Sequence, residues 1–361
     1  MNDPGERVSL KDLSLEGLEN FIVSLGEKPF RALQVAHWIY GKGVRSFGEM
    51  SNLSRDFREK LERSAVIPFL APAEVHSAGD GTKKVRFLLA DGEAIESVLL
   101  PERGHFTLCV STQVGCALGC KFCLTGKRGW VRNLKPSEIL DQVLSVRATL
   151  TPGEKLTNLV LMGMGEPLQN FGNVLQALEI LRSPRGLQFS NRRITLSTAG
   201  IIPEMVTLLS RKNFVKLAIS LNATTDEQRS QLMPINRQYP LKDLLAACRS
   251  VPLANRERIT FEYVLIRGVN ESEEDARRLT RLLKGMQAKV NLIPFNEHPG
   301  SFFRSPTEEA VQKFRGILMA KHFTAMVRQS KGADILAACG QLGGRDRPIL
   351  PGGPLPCPGP E

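Results

Sequence analysis

Three cysteines, Cys116, Cys120 and Cys123, crowd into the segment VGCALGCKFCLTG with the spacing Cys-x3-Cys-x2-Cys. They follow a strand-like run, TLCVST, so three thiolates converge on one short loop. A structural zinc site takes four ligands, usually in Cys-x2-Cys pairs, and no second pair follows. Three thiolates on a four-iron cluster instead leave one iron open, and that iron can chelate the amino and carboxylate groups of S-adenosylmethionine. An electron passed into the sulfonium then yields a 5′-deoxyadenosyl radical. Three unrelated buried cysteines do not account for this density.

The other four of the seven cysteines are Cys109, Cys248, Cys339 and Cys357. The N-terminus MNDPGERVSL lacks a basic stretch followed by an apolar one, and no apolar run approaches the roughly 18 residues of a membrane span. A cytoplasmic protein with no membrane partner is expected, with reduced thiols and no disulfide framework. Against 37 Asp and Glu stand 48 Lys and Arg, a net +11 that suits a polyanion such as RNA or DNA.

The segment up to Pro72 reads as a small helical unit, because FRALQVAHWIY and SRDFREKLERSA carry apolar residues at three- and four-residue spacing. Its Lys28, Arg31, Lys42 and Arg45 could touch phosphates or simply form a solvated face; Phe30, Trp38 and Phe47 are read as core. Residues 73–104 follow as a hairpin extension, VRFLLADGEAIESVLL, turned at Asp91-Gly92 and placed to cap what comes next. From 105 to 341 strand and helix patterns alternate, with strands at TLCVST, NLVLMGMG, RITLSTAG, VKLAISLN, ITFEYVLIRG and KVNLIPFN. Such alternation implies βαβ units, an α/β fold with a parallel sheet whose chemistry sits at the carboxyl ends of the strands. A further short strand, FTAMVRQ, and a helical piece, ADILAACGQL, close this domain. The Pro/Gly-rich tail, 342–361, is read as disordered and Cys357 as an incidental thiol.

CALGCKFC is the signature of the radical S-adenosylmethionine superfamily, whose members fold as full or partial barrels. A partial (β/α)6 barrel with a small helical N-terminal accessory domain is the fold this implies. The motifs LCVSTQVGC, LMGMGEP, TLSTAG, LAISLNA, IPFNEHPG and AACGQL together resemble the bacterial RlmN family of dual-specificity 23S rRNA and tRNA adenine-C2 methyltransferases. They cover nearly the whole barrel, and the N-terminal unit resembles that family's accessory RNA-binding domain.

The resemblance implies a [4Fe-4S] cluster on Cys116, Cys120 and Cys123, and two equivalents of S-adenosylmethionine per turnover. One methylates Cys339, and the second supplies the radical that takes hydrogen from that methyl group. The carbon then adds to carbon 2 of an adenosine in the 23S rRNA peptidyl transferase centre or the tRNA anticodon loop. Cys109 resolves the adduct through a transient disulfide with Cys339 while Glu96 removes the carbon-2 proton. Gly165, Glu166, Ser197, Ser220, Leu221, Asn222 and Asn296 match cofactor-binding positions. The expected partners are 23S rRNA, tRNA and an electron donor such as flavodoxin, with the enzyme a monomer.

Taken singly, these residues have plainer readings. Cys109 in an apolar strand and Cys339 in a helical pattern would be core, Glu96 an exposed strand carboxylate, and the Ser and Asn residues turn formers. Cys248 has no match and is read as core. The nearest competing activity is Cfr-type methylation of carbon 8 of the same rRNA adenosine; others are a noncatalytic zinc RNA-binding protein and a radical enzyme acting on a small molecule.

Overall fold

The alternation in the sequence is realised as one ten-stranded sheet in which neighbours in space are neighbours in the chain. The computed structural model describes residues 7–343 apart from 212–214, 252, 255 and 256. The strands are β1 (Pro72–Ser77), β2 (Lys83–Leu88), β3 (Ala94–Glu102), β4 (His105–Cys109) and β5 (Leu156–Leu161). They continue as β6 (Ile194–Thr198), β7 (Lys216–Ser220), β8 (Ile259–Leu265), β9 (Ala288–Pro294) and β10 (Thr324–Val327). From β4 onward all pair in parallel, and β1 to β4 are antiparallel.

Helices cover the parallel strands, which is why those strands read as nearly continuous apolar runs rather than alternating ones. Leu217, Ala218 and Ile219 of β7 are all buried, as are Ile259 through Tyr263 of β8. Helix starts follow local chemistry. Pro136 opens the helix Pro136–Ala148, where Glu138 accepts from the Lys135 amide at 2.8 Å; Ser272 and Asp275 form a capping box at Glu273–Leu282. Cys248 is buried in the helix Leu241–Arg249, the core position expected of it.

The N-terminal unit holds the helices Leu15–Ser24, Arg31–Ala36 and Arg55–Ser64 around Leu18, Ile22, Val35, Ile39, Phe57 and Leu61. The second continues through a wider π-helical turn, His37–Lys42. This unit is fastened to the barrel: the buried Lys11 pairs with the buried Asp141 of Pro136–Ala148, and Asp12 accepts from the Ser137 amide at 2.8 Å. Of the three aromatics assigned to the core, Phe47 is buried and Trp38 half-buried, but Phe30 is exposed, with the Arg31 guanidinium 5.2 Å from its ring centre. At the start of its helix it lies outside the apolar stripe.

The expected hairpin forms between β2 and β3, and it joins the main sheet. β3 pairs directly with β4, and the unforeseen β1 extends the sheet further, so the extension is continuous with the barrel. ADILAACGQL is not a helix. A 3-10 turn, Ala333–Ile335, ends at Leu336 in the left-handed region (φ 53°), and Cys339 sits in the turn beyond. Residues 344–361, with Cys357, lie outside the described residues.

Candidate active site

Past the end of β4 the chain makes a short ribbon, Gln113–Gly115 against Trp130–Asn133, and the three cysteines occupy the loop between its arms. The Cys116 amide donates to the Gly129 carbonyl at 2.9 Å and the Cys123 amide to that of Cys120 at 3.2 Å. Burial pushes the thiols of Cys116 and Cys120 up, and neighbouring cysteines of the trio push them further. Apolar Leu118, Leu232, Met233, Ile266 and Phe295 pack around Cys116 and Cys120. Among the described residues no three His, Cys, Asp or Glu side chains are arranged around a single metal ion.

Beside Cys120 lies Arg229, fully buried, a residue the sequence reading missed. It donates to the carbonyls of Ala199 (2.7 Å), Ser220 (3.2 Å) and Leu221 (3.1 Å), tying together the loops that follow β6 and β7. It makes no direct ion pair with a carboxylate among the described residues, Asp226 acting on it only at longer range, and a buried cation so thinly compensated is costly. An anionic thiolate-bound iron–sulfur cluster beside it would supply further negative charge. Three thiolates, a dry apolar wall and an adjacent buried cation therefore fit such a group. Arg229 lies in the polar stretch DEQRSQL, where nothing local marks it as internal.

GMGEP follows β5. Gly165 has φ 98°, and a Cβ there would lie 2.5 Å from the Cβ of Gln113, so only glycine permits this approach to the ribbon. The Glu166 carboxylate is buried and accepts from the amides of Leu168 (3.1 Å) and Ala199 (2.8 Å). Burial raises its pKa to about 7, opposed by those amides. This carboxylate braces the β5 loop against the β6 loop, while the Glu166 amide donates to Gln113 Oε1 at 2.8 Å and its carbonyl accepts from the Gln169 amide at 3.0 Å.

The other matched positions divide in two. Ser197 and Ser220, at the ends of β6 and β7, are half-buried, and their hydroxyls have no partner among the described residues. Asn222 and Asn296 are committed. Asn222, left-handed at φ 58°, accepts from the Val264 amide at 2.8 Å, while its carbonyl takes a bond from Asn270 Nδ2 at 2.8 Å. Leu221 is buried, its carbonyl held by Arg229. Asn296 donates to the Cys339 carbonyl at 3.0 Å and accepts from the Ser330 hydroxyl.

Cys339 is therefore held at a chosen place. Gln341 accepts from the Ala338 amide (3.1 Å) and donates to the Glu297 carbonyl (2.7 Å), and the Leu124 amide donates to the Gly340 carbonyl at 2.7 Å. The turn thus rests on the cysteine loop. The Cys339 side chain is exposed, yet protein surrounds it closely enough to raise its thiol to about 11. Both observations suit a group facing an open hollow inside the barrel. Glu262 adds to that rise and Arg328 opposes it.

Cys109, the last residue of β4, is buried, and its thiol is pushed up by burial and by Cys339. It stands opposite Val98 of β3, and directly opposed residues share a sheet face. Glu96, two residues from Val98, shares that face as well. Instead of an exposed strand carboxylate, Glu96 is buried, accepts from the Gly343 amide at 3.0 Å and lies 3.6 Å from Lys84 Nζ. Residues distant in the sequence, Glu96, Cys109, Cys123 and the turn 339–343, are thereby gathered at one end of the sheet.

Residues 8–67 match the family described as ribosomal RNA large subunit methyltransferase N-terminal domain, and residues 110–280 match the radical SAM superfamily. The dual-specificity RNA methyltransferase RlmN of Geotalea uraniireducens is 53% identical over 340 residues, covering 94% of this chain and 98% of that protein. The enzyme of the same name from Syntrophus aciditrophicus is 51% identical, covering 94% and 97%. Among solved structures, a radical SAM methyltransferase from Sphaerobacter thermophilus superposes with a TM-score of 0.88 at 43% identity, covering 93% of this chain and 99% of that one.

Proposed function

The chain belongs to the RlmN family of radical S-adenosylmethionine RNA methyltransferases, and on that footing we propose how its own residues divide the work. The enzyme methylates carbon 2 of an adenine in RNA, ribosomal and transfer, and works with a [4Fe-4S] cluster and S-adenosylmethionine. Carbon-8 methylation is not favoured, since the matched relatives bear the name of the carbon-2 activity. The observation that carries the residue assignment is the turn at Cys339, exposed toward the site and clamped by Asn296 and Gln341.

Carbon 2 of adenine is an electrophilic amidine carbon, so direct attack on a sulfonium methyl group is closed to it. When bound, the cofactors supply both the methyl group and the radical that activates it. Cys116, Cys120 and Cys123 hold the cluster, with the Arg229 guanidinium balancing its charge. The backbone of Gly165 and the hydroxyls of Ser197 and Ser220 would hold S-adenosylmethionine; Glu166, Leu221, Asn222 and Asn296 fix the loops around it. Cys339 accepts the methyl group on sulfur, and that carbon, after losing a hydrogen atom, bonds to carbon 2. The adduct gives up its unpaired electron to the electron-donor system that supplied one at the start, and Glu96 takes the carbon-2 proton. Cys109, as its thiolate, attacks the sulfur of Cys339; the electrons of the broken carbon–sulfur bond pass to the added carbon, which takes a proton and stays on the base as a methyl group. The resulting Cys109–Cys339 disulfide is reduced before the next cycle, a reaction at home in a reducing cytoplasm. The target adenosine reaches this site unpaired or flipped from its stack.

An electron donor of the flavodoxin kind completes the system, and the enzyme acts as a monomer. In the described residues no helix is long and apolar enough to cross a membrane.

The test is a trap. Cys109→Ala, incubated with RNA, S-adenosylmethionine and reductant, accumulates a protein–RNA species that survives denaturant, and Cys109→Ala/Cys339→Ala does not. Free methylated RNA at the wild-type rate from Cys109→Ala would reject the assignment.

A further inference from the structure

An open hollow of about 970 Å³ lies between the N-terminal unit and the loops that lead into β5 and β6. A smaller one of about 210 Å³ shares Tyr40, Gly41 and Arg147 with it, so the two form one trough along the seam between the units. Exposed cations line it from both sides: Lys42 and Arg45 from the N-terminal unit, and Arg147, Lys155, Arg185 and Arg193 from the barrel. None of the six makes an ion pair among the described residues, and Glu154 is the one carboxylate lining the larger hollow. The surface helix Glu273–Leu282 behaves differently, its Arg277, Arg278 and Arg281 all paired with acids.

The trough is also shaped rather than incidental. Arg45 lies flat over the Phe69 ring, 3.5 Å from its centre, which fixes its guanidinium at the trough edge. Gln188 in the larger hollow is held at φ 60°, a left-handed conformation uncommon for a residue with a side chain. Six exposed cations along one trough, none in an ion pair among the described residues, repel one another, and an array of phosphates relieves that repulsion.

We propose that this trough is a second RNA-binding surface that grips the phosphate backbone of a structured RNA remote from the reacting base. The inference rests on RNA being the substrate. The lining loops precede β5 and β6, whereas Glu166 and Ser197 lie at or beyond their far ends. At about 3.3 Å per residue, the six residues of β5 put the trough roughly 20 Å from the site. It therefore adds affinity for large folded RNA and nothing for a short fragment bearing only the target loop.

The experiment compares holoenzyme with Lys155→Glu/Arg185→Glu, using fluorescence anisotropy on a full-length tRNA transcript and on its isolated anticodon stem–loop over a salt series. The full transcript should bind the variant about tenfold more weakly, with the slope of log affinity against log salt reduced by about two. Affinity for the stem–loop should change less than twofold, and methylation of Cys339 without RNA should be unchanged. If the reversals impair folding, the milder Lys155→Gln/Arg185→Gln should still lose about threefold on the full transcript alone. Equal binding and equal salt slopes for variant and wild type would overturn the proposal and leave this face to an acidic protein partner. Failure of the wild type to methylate either RNA at carbon 2 would instead overturn the assigned reaction, with the affinity comparison still readable.

Discussion

Asn296 donates from Nδ2 to the carbonyl of Cys339 at 3.0 Å while its Oδ1 accepts from Ser330, so one buried amide joins the β9 loop to the turn that carries the Cys339 sulfur. Leu336 in the left-handed region starts that turn, and Gln341 closes it. Losing a buried hydrogen-bond partner costs about 1–3 kcal/mol. Asn296→Ala should therefore lower Cys339 methylation and RNA methylation together, by about 10- to 100-fold, with iron and sulfide content unchanged. A variant that methylates Cys339 normally would show that the clamp is dispensable.

The thiol of Cys339, raised to about 11, is mostly protonated at neutral pH although its side chain is exposed. The thiolate is the reactive form, and its fraction grows about tenfold per pH unit until the pKa is reached. Iodoacetamide labelling of Cys339 in the apoprotein should therefore climb steadily from pH 7 to 10, while buried Cys109 stays unlabelled until the protein is unfolded. A plateau below pH 9, read by peptide mass spectrometry, would contradict this environment.

Lys11 and Asp141 are a buried pair joining the two units, with the Leu70 amide also donating to Asp141 at 3.1 Å. Removing one member strands a charge, at a cost of about 3–5 kcal/mol, whereas replacing both with apolar residues of similar volume is often neutral. Asp141→Asn should thus be markedly destabilised in urea, and Lys11→Met/Asp141→Leu should recover most of the loss. Equal stability of Asp141→Asn and wild type would mean that the pair does not hold the units together.

The sequence was most informative where chemistry is packed into contiguous motifs. The Cys-x3-Cys-x2-Cys loop, the six barrel strands and the glycine at 165 could all be read directly, because a cysteine spacing, an apolar run and a positive φ each leave a local mark. What joins distant segments was hidden. No local pattern shows that Arg229 is buried against three carbonyls, or that Asn296 holds Cys339 rather than only a ligand. AACGQL carries helix-favouring alanines, but tertiary bonds from Asn296, Leu124 and Glu297 hold it as a turn, overriding propensity. Phe30 failed for the converse reason: an aromatic side chain does not guarantee a core position.

Delivery of a methyl group from Cys339 to carbon 2 of adenine is best tested by mass spectrometry of rRNA and tRNA fragments from cells with this protein, without it, and with Cys339→Ala. A methyl group on carbon 2 should be present with the wild type and absent in the other two. A methyl group on carbon 8, or a carbon-2 methyl group that persists with Cys339→Ala, would contradict it.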